Sequence, residues 1–230
     1  MGTATVNDYE RGLSLSLPVI VVGGGGHAKV LVSTLLLQHR RVLGFVDLKP
    51  SLPPLLGIAY LGDDEAVFLR PPDQVRLANG LGSIGSTVLH RGIYEKFRQK
   101  QYVFETVIHP SAVIAPEVNI EDGVQVMAGV VVQPGTRLGE NVIINTGARV
   151  DHDCSIDAHA HIAPGATLSG HVHIGEGTHV GTGASILQGI TVGAGSIVGV
   201  GAVVVTNVPA GLTVVGVPAA PLAKRIASRF

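Results

Sequence analysis

The residues best suited to move a proton are concentrated in the C-terminal half of the chain. Seven of the ten histidines lie between residues 107 and 208, and one of them, His152, is followed directly by Asp153 in the segment RVDHDC. An imidazole titrates near neutral pH, and a carboxylate on one ring nitrogen fixes the tautomer and raises the basicity of the other nitrogen. The pair is therefore a candidate for acid–base chemistry.

A glycine-rich loop near the N-terminus is the second candidate. The segment GGGGHA at 23–28 follows the apolar run 18–22 and precedes a predicted helix at 29–38. Such a unit lets backbone N–H groups hold a phosphate at the helix N-terminus. A second predicted strand, 41–46, ends at Asp47, where a dinucleotide-binding fold places a ribose-binding carboxylate. Because the region is too short for two such halves, we interpret the loop as a site for one nucleotide diphosphate, the alternative being a tight turn without a ligand.

The rest of the N-terminal region completes a short Rossmann-like α/β unit. A LGDD loop at 61–64 is predicted to open a helix, and a strand at 74–80 leads into the segment NGLGSIG at 79–85. An amphipathic helix is predicted at 87–100 and a last strand at 102–107.

A six-residue repeat organises the remainder. From Val107 to Val208 the chain divides without a gap into seventeen hexads, whose second place is always Ile, Val or Leu and whose fifth place is Gly in ten cases. Glycine tolerates positive φ, so each hexad reads as a short strand followed by a tight corner. The repeat predicts a three-sided prism in which three hexads form one coil and residues about eighteen apart stack.

The chain is thus predicted to contain three parts. They are an α/β domain at 18–106, a parallel β-helix at 107–208 and a C-terminal cap at 209–230 that ends in a helix-like stretch. A stack of repeats exposes an open edge at its end, and the cap is expected to cover that edge.

Composition excludes several classes of protein. A net charge of -1 and a pI near 6.8 provide no basic field, which disfavours a nucleic-acid binder. The apolar runs are too short to cross a bilayer, and the N-terminus lacks the layout of a secretory signal. The single cysteine, Cys154, rules out an internal disulfide and occupies a small-residue place of its hexad, so it is predicted to be packed. We expect a cytoplasmic protein without a membrane span.

The histidines of the repeat fall into groups according to their place within the hexad. His159 and His171 occupy the fifth place and are predicted to be solvent-exposed corner residues. His161, His173 and His179 occupy the first place, next to the inward aliphatic residue, and are predicted to point outward onto flat faces.

The hexad pattern resembles the left-handed parallel β-helix of the hexapeptide-repeat acyltransferases. The ordered motifs GGGGHA, GFVD, LGDD, NGLGSIG and VIHPSAVIAP, over roughly residues 18 to 222, resemble bacterial nucleotide-sugar acyltransferases more closely. These include the UDP-4-amino-sugar and GDP-perosamine N-acetyltransferases, with sialic-acid O-acetyltransferases as relatives. The resemblance implies a homotrimer that binds acetyl-CoA between neighbouring subunits.

The resemblance also implies catalytic roles. His152 matches the general base of these enzymes and Asp153 the acid that supports it, His161 matches a histidine that contacts acetyl-CoA, and an N–H around Gly170 would stabilise the oxyanion. Asn145 is similar to a position that lines the sugar site, or else is a polar outward residue. Since no activated Ser or Cys is evident, the amine is expected to attack the thioester directly.

The implied substrate is a nucleotide-linked 4-amino-4,6-dideoxy sugar. The residues that match the family's substrate positions are Gly25, Gly26, His27, Asp47 and Gly62. Leu48 departs from members that carry a second acidic residue there, so the nucleobase stays open between UDP, GDP and dTDP.

Three other functions stay open on the sequence alone. The first is O-acetylation of a sialic acid. The second is a metal-dependent hydratase, in which the pairs His159 and His161, and His171 and His173, would bind zinc; we expect no metal. The third is a noncatalytic prism that binds sugar nucleotides or only trimerises.

Overall fold

The computed structural model describes residues 17–49 and 54–222, and its N-terminal part is a parallel sheet between helices. The strands are β1 (Val19–Val22), β2 (Val42–Val46), β3 (Tyr60–Gly62) and β4 (Arg76–Asn79), and the helices are α1 (Gly26–Leu37), α2 (Glu65–Phe68) and α3 (Val88–Arg98). The order in the sheet is β3-β2-β1-β4.

Alternation along β1 explains why both faces of this sheet are covered. Val19 and Val21 pack with Leu31 of α1, whereas Ile20 and Val22 pack on the opposite side with Phe97 of α3. Successive side chains of a strand point to opposite faces, so an entirely apolar strand requires a layer on each side.

The N-terminal domain differs from the sequence prediction in two strands. The strand β3 (Tyr60–Gly62) was not predicted, and the strand predicted at 102–107 does not form as such. Only a single bridge between Leu77 and Phe104 joins that segment to the sheet, and regular pairing resumes at Val107. The alternating aromatic residues of this segment instead fill the core under α3.

The repeat forms a three-sided parallel β-helix, as predicted. Each of the seventeen hexads contributes one two-residue strand at its first and second places. Sheet A contains β5 (Val107–Ile108), β8 (Gln125–Val126), β11 (Ile143–Ile144), β14 (His161–Ile162), β17 (His179–Val180) and β20 (Ile197–Val198). Sheet B contains β6 (Val113–Ile114), β9 (Val131–Val132), β12 (Arg149–Val150), β15 (Thr167–Leu168), β18 (Ser185–Ile186) and β21 (Val203–Val204). Sheet C contains β7 (Asn119–Ile120), β10 (Arg137–Leu138), β13 (Ser155–Ile156), β16 (His173–Ile174) and β19 (Thr191–Val192).

The stacking repeat of eighteen residues is observed in the strand register, for example Gln125 opposite Ile143 and Ile143 opposite His161. From Gly123 to Gly201 the corners at the fifth places have positive φ, including the non-glycine residues Asp153 (56°) and His171 (56°). The second-place aliphatic side chains from Val126 onward are buried in one continuous core.

Cys154 is packed in the β-helix core, as predicted. It is 2% exposed, and its Sγ lies 3.2 Å from the carbonyl oxygen of Ser169. Burial raises the pKa of the thiol to about 11, so the side chain is a thiol and not a thiolate at neutral pH.

Two further strands end sheet A. The strand β22 (Thr213–Val215) pairs in parallel with β20, and β23 (Ala220–Pro221) then pairs antiparallel with β22. The last strand therefore runs against the direction of the coils and interrupts their stacking. The helix-like stretch predicted at the end of the cap lies outside the described residues after Leu222.

The N-terminal domain packs on the outer face of sheet A. Its side chains form hydrogen bonds to the β-helix from the first coil, where Gln38 donates to the carbonyl of Ile108 (2.7 Å), as far as Thr87, which donates to the carbonyl of Gly177 (2.8 Å). This position covers one of the three faces of the prism.

Candidate active site

His152 and Asp153 lie at the corner between sheets B and C. Nδ1 of His152 is 2.8 Å from Oδ2 of Asp153, and the imidazole is 46% exposed. This hydrogen bond is the main reason that the pKa of His152 is raised above its usual value. Because Nδ1–H donates to the carboxylate, Nε2 of this half-exposed ring carries the free lone pair, which is the arrangement a general base needs.

Gly170 lies in the next coil and forms the floor under this imidazole. A Cβ atom at Gly170 would lie 2.6 Å from both Cε1 and Nε2 of His152, so the absence of a side chain allows the ring to occupy its position. Among the described residues, none accepts a hydrogen bond from the Gly170 N–H. The amide is thus available to an external oxygen atom beside the free nitrogen of His152.

His171 is a further member of this corner, although the sequence predicted a corner residue or a zinc ligand and not a neighbour of His152. Its backbone N–H donates to the carbonyl of His152 (2.9 Å), and its ring meets the His152 ring edge-on at 5.1 Å. Its Nε2 is 3.6 Å from the Asp153 carboxylate. The eighteen-residue stacking repeat is the signal that could have found His171, because it places this residue next to Asp153 in the following coil.

The glycine loop forms a second cluster, held by Asp47. One carboxylate oxygen of Asp47 accepts from the Gly24 N–H (2.7 Å), and its backbone N–H donates to the carbonyl of Gly62 (3.1 Å). A Cβ at Gly25 or Gly26 would meet nothing within 4 Å, so the loop is open on its outer side. The structure thus brings together the predicted residues of the N-terminal domain.

His27 links this loop to the β-helix. Its Nε2 is 2.6 Å from Oε1 of Gln125, the first residue of β8. Gln125 is 1% exposed and was not singled out from the sequence. Gln125 occupies the first, outward-pointing place of its hexad, where side chains are normally in contact with solvent. It is buried only because the N-terminal domain covers this face.

Asn145, His161 and His179 form a hydrogen-bonded row with Ser83 of the covering loop. Asn145 Nδ2 lies 3.1 Å from Nε2 of His161, and Ser83 Oγ lies 2.5 Å from Nδ1 of His161 and 3.2 Å from Nδ1 of His179. Because Oδ1 of Asn145 accepts from the Thr146 N–H, its amide group donates to His161, which then donates from Nδ1 to Ser83.

The solvent exposure predicted for His159 is wrong, and the outward places predicted for His161 and His179 are covered. His161 (4% exposed) and His179 (8%) point outward from sheet A as expected, but loop 81–86 covers them, and burial lowers the pKa of His161 to about 2. His159 occupies a corner with positive φ but is 7% exposed, since it packs edge-on against Tyr94 at 5.5 Å. His173 remains on an uncovered face.

The predicted site residues fall on two sides of the prism. The glycine loop, Asn145 and His161 belong to sheet A and its covering domain, whereas His152 lies at the corner between the other two sheets. In a three-sided prism that corner is opposite sheet A. No hydrogen bond between described residues joins the His152 corner to the glycine loop.

The zinc pairs considered above do not converge. His159 hydrogen-bonds to Asn141 and His161 to Ser83, while His173 is bonded to Asp157 at 2.8 Å. Within residues 17–49 and 54–222, the group of possible ligands close enough to share an ion is His152, Asp153 and His171, with ligand atoms within 4.8 Å of one another. That group is the corner already described. In the same ranges, no helix has the length and apolar character required to traverse a bilayer.

Comparison with known proteins agrees with this fold. The family described as bacterial transferase hexapeptide (six repeats) matches residues 117–152 and 135–170. Comparison with curated proteins gave no match. Solved structures match over nearly the whole chain, which places the N-terminal domain and the β-helix together in one known architecture.

Three solved structures illustrate the similarity. GDP-perosamine N-acetyltransferase from Caulobacter crescentus, a histidine-to-alanine variant in complex with CoA and GDP-perosamine, is 39% identical (TM-score 0.85; 90% of this chain and 97% of that chain covered). The acetyltransferase domain of PglB from Neisseria gonorrhoeae FA1090, in complex with acetyl coenzyme A, is 38% identical (0.84; 89% and 98%). WeeI from Acinetobacter baumannii AYE is 28% identical (0.81; 90% and 100%).

The fold and the repeat define a hexapeptide-repeat transferase. On similarity of this extent, the chain belongs to the nucleotide-sugar N-acetyltransferases of that family and is an enzyme of the acetyltransferase class.

Proposed function

We propose that this protein transfers the acetyl group of acetyl-CoA to the 4-amino group of a nucleotide-linked 4-amino-4,6-dideoxy sugar. The observation that carries the proposal is the exposed imidazole of His152, which is oriented by Asp153 and lies over the N–H of Gly170, a donor with no acceptor in residues 17–49 and 54–222. Relatives that match almost the whole chain were crystallised with CoA and GDP-perosamine or with acetyl coenzyme A, which supports both substrates.

In the proposed reaction His152 acts as the general base. The amine nitrogen attacks the thioester carbonyl carbon and loses a proton to Nε2 of His152, while the Gly170 N–H donates to the carbonyl oxygen as it becomes negatively charged. The C–S bond then breaks, and the CoA sulfur leaves and takes up the proton from His152. Asp153 stabilises the imidazolium that exists between these two transfers.

The remaining predicted residues complete the two binding sites. Gly25, Gly26, His27, Asp47 and Gly62 hold the nucleotide sugar, Asn145 lines the sugar site and His161 contributes to the acetyl-CoA site. Access to the His161 ring requires that Ser83 release its Nδ1. No covalent acyl-enzyme is involved, since the buried Cys154 thiol is protonated at neutral pH.

The proposed active site lies between subunits of a homotrimer. Because His152 occupies the corner opposite sheet A, its own N-terminal domain cannot present a bound sugar to it. A neighbouring copy that packs its sheet A side against this corner supplies the missing half.

Replacement of the base tests the proposal. We expect His152→Ala to lower the transfer rate by about 10² to 10⁴, because proton removal from the amine would depend on solvent. The measurement is mass-spectrometric detection of acetyl transfer from acetyl-CoA to UDP-, GDP- and dTDP-linked 4-amino sugars, with a sialic acid as the O-acetylation comparison.

A matched control is His173→Ala, which removes another exposed histidine paired with an aspartate, on the uncovered sheet C. This variant is expected to retain the wild-type rate. Equal activity of His152→Ala and wild type on the accepted substrate would contradict the mechanism, and acetylation of the sialic acid alone would contradict the substrate.

A further inference from the structure

Gln125 is the only residue of the β-helix that hydrogen-bonds to the glycine loop among the described residues, and its two bonds fix its orientation. Its Nε2 donates to the backbone carbonyl of Asn79 (2.8 Å), which can only accept. Its Oε1 therefore faces His27, at 2.6 Å from Nε2 of that ring. An amide oxygen can only accept, so the proton of His27 must be on Nε2.

The carbonyl that orients Gln125 is itself held in place. The side chain of Asn79 donates from Nδ2 to the carbonyl of His90 (2.8 Å) and to Oδ1 of Asn141 (3.2 Å), while its own Oδ1 accepts from the Leu81 N–H (3.3 Å). Asn79 and Gln125 are both 1% exposed. The folded contact between the two domains thus dictates which nitrogen of His27 is protonated.

The other nitrogen of His27 consequently carries a lone pair. Burial lowers the pKa of this imidazole, which keeps the ring neutral. No group in residues 17–49 or 54–222 hydrogen-bonds to Nδ1. Gly82 packs close beside this ring, and a Cβ there would be 3.1 Å from Cβ of His27 and 3.7 Å from Nδ1, so any larger residue at position 82 would crowd the imidazole.

We propose that Gln125 is a positioning residue that holds His27 in the neutral Nε2–H tautomer, so that Nδ1 accepts a hydrogen bond from a hydroxyl or amino group of the hexose. A lone pair repels phosphate oxygens, so the phosphates are bound instead by the N–H groups of the glycine loop at the start of α1. The identity of the ligand rests on the proposed function, whereas the tautomer does not.

The tautomer is tested on the ligand-free protein. The ¹⁵N chemical shifts of the His27 ring, assigned with His27→Asn, distinguish a protonated Nε2 from a protonated Nδ1. We expect wild type and Gln125→Glu to show the Nε2–H form, because a carboxylate oxygen still accepts from that nitrogen, and Gln125→Met to show a mixture of both forms. A protonated Nδ1 in wild type, or an unchanged ring in Gln125→Met, would overturn the assignment.

The ligand is tested by comparing a sugar nucleotide with its nucleoside diphosphate. We expect Gln125→Met to weaken binding of GDP-perosamine, or of the UDP-linked 4-amino sugar, by about threefold to tenfold and to leave the Kd of GDP or UDP alone unchanged. The control is Ser196→Ala, which also removes one buried side-chain bond to a carbonyl, in a later coil. This control should change neither Kd.

The two proposals fail in different ways. Equal weakening for the sugar nucleotide and the diphosphate would overturn the hexose contact while leaving acetyl transfer intact. If wild type binds neither GDP-perosamine and GDP nor the UDP-linked sugar and UDP, both the proposed function and the hexose contact of Nδ1 are contradicted. The ¹⁵N shifts of the His27 ring would still decide the role of Gln125.

Discussion

At the scale of single residues, the corner that carries His152 combines two constraints that are unrelated in sequence. Asp153 must adopt positive φ to turn the chain and at the same time present its carboxylate to the neighbouring ring. Asparagine adopts the same backbone conformation and removes only the charge. Asp153→Asn is therefore a clean test of the electrostatic role.

The pH dependence of Asp153→Asn follows from the direction of the His152 pKa. A general base must be unprotonated, so activity is lost as pH falls through its pKa, which Asp153 raises. We expect the acidic limb of the kcat/KM profile to move to lower pH in the variant, with a plateau about tenfold to 100-fold lower. An unmoved limb would show that another group titrates there.

Gly170→Ala tests the floor of the same site. The new Cβ would lie 2.6 Å from two ring atoms of His152, which is too close for both to stay in place, and the exposed ring can move away into solvent. We expect kcat to fall about tenfold to 100-fold with little change in Tm, since the damage is to geometry rather than to packing. The control is Gly92→Ala in α3, where a Cβ meets nothing within 4 Å; similar losses in both variants would contradict this assignment.

At the scale of elements, the N-terminal domain buries histidines against sheet A, and this makes their contact sensitive to acid. Burial lowers the pKa of His90 to about 4 and that of His161 to about 2. In the unfolded chain both titrate near 6.5, so the unfolded state binds more protons below that pH. Stability is therefore complete above about pH 6.5 and falls as the pH decreases toward 4.

Urea unfolding at pH 7.5 and pH 5 measures this effect. Each buried histidine should lower the free energy of unfolding by about 1.4 kcal/mol per pH unit below its unfolded pKa. His90→Gln should show a smaller decrease between the two pH values than wild type, whatever its absolute stability. An equal decrease in both proteins would mean that His90 takes up a proton without unfolding.

The sequence predicted the elements better than their contacts. The hexad places located all seventeen strands of the β-helix, and the eighteen-residue repeat is sufficient to place Gly170 under His152. Covering of sheet A depends on long-range docking of the first domain, which periodicity does not encode. The outward places do not mark the covered face either, because three of six are apolar in sheet A (Val107, Ile143 and Ile197) and three of six are apolar in sheet B (Val113, Val131 and Val203).

At the scale of the whole molecule, a shared site can be tested by mixing inactive variants. His27→Ala and His152→Ala impair opposite sides of one prism, so each alone should be nearly inactive. If the halves of a site come from different subunits, a co-refolded equimolar mixture should recover about a quarter of the wild-type activity by random assembly. The measurement is the acetyl-transfer rate before and after mixing.

The outcome without recovery is equally definite. A mixture as inactive as its components would place both halves in one subunit, provided that one variant is ¹⁵N-labelled and native mass shows oligomers that contain both labelled and unlabelled 23.7 kDa chains. The homotrimer itself is an expectation from the family resemblance. The structure of one chain shows only that the His152 corner and the glycine loop lie on opposite sides of the prism.

The antiparallel strand β23 ends the stack of coils, so the number of coils before it can change without affecting how the stack ends. All contacts described between the two domains lie at or before His179, and the corner at His152 needs only the next turn of the spiral. The coils between that point and the reversed strand continue the same stacking, and within the described residues none of their side chains hydrogen-bonds to the N-terminal domain. Whole coils of eighteen residues can therefore be inserted or deleted there without displacing the His152 corner or the glycine loop.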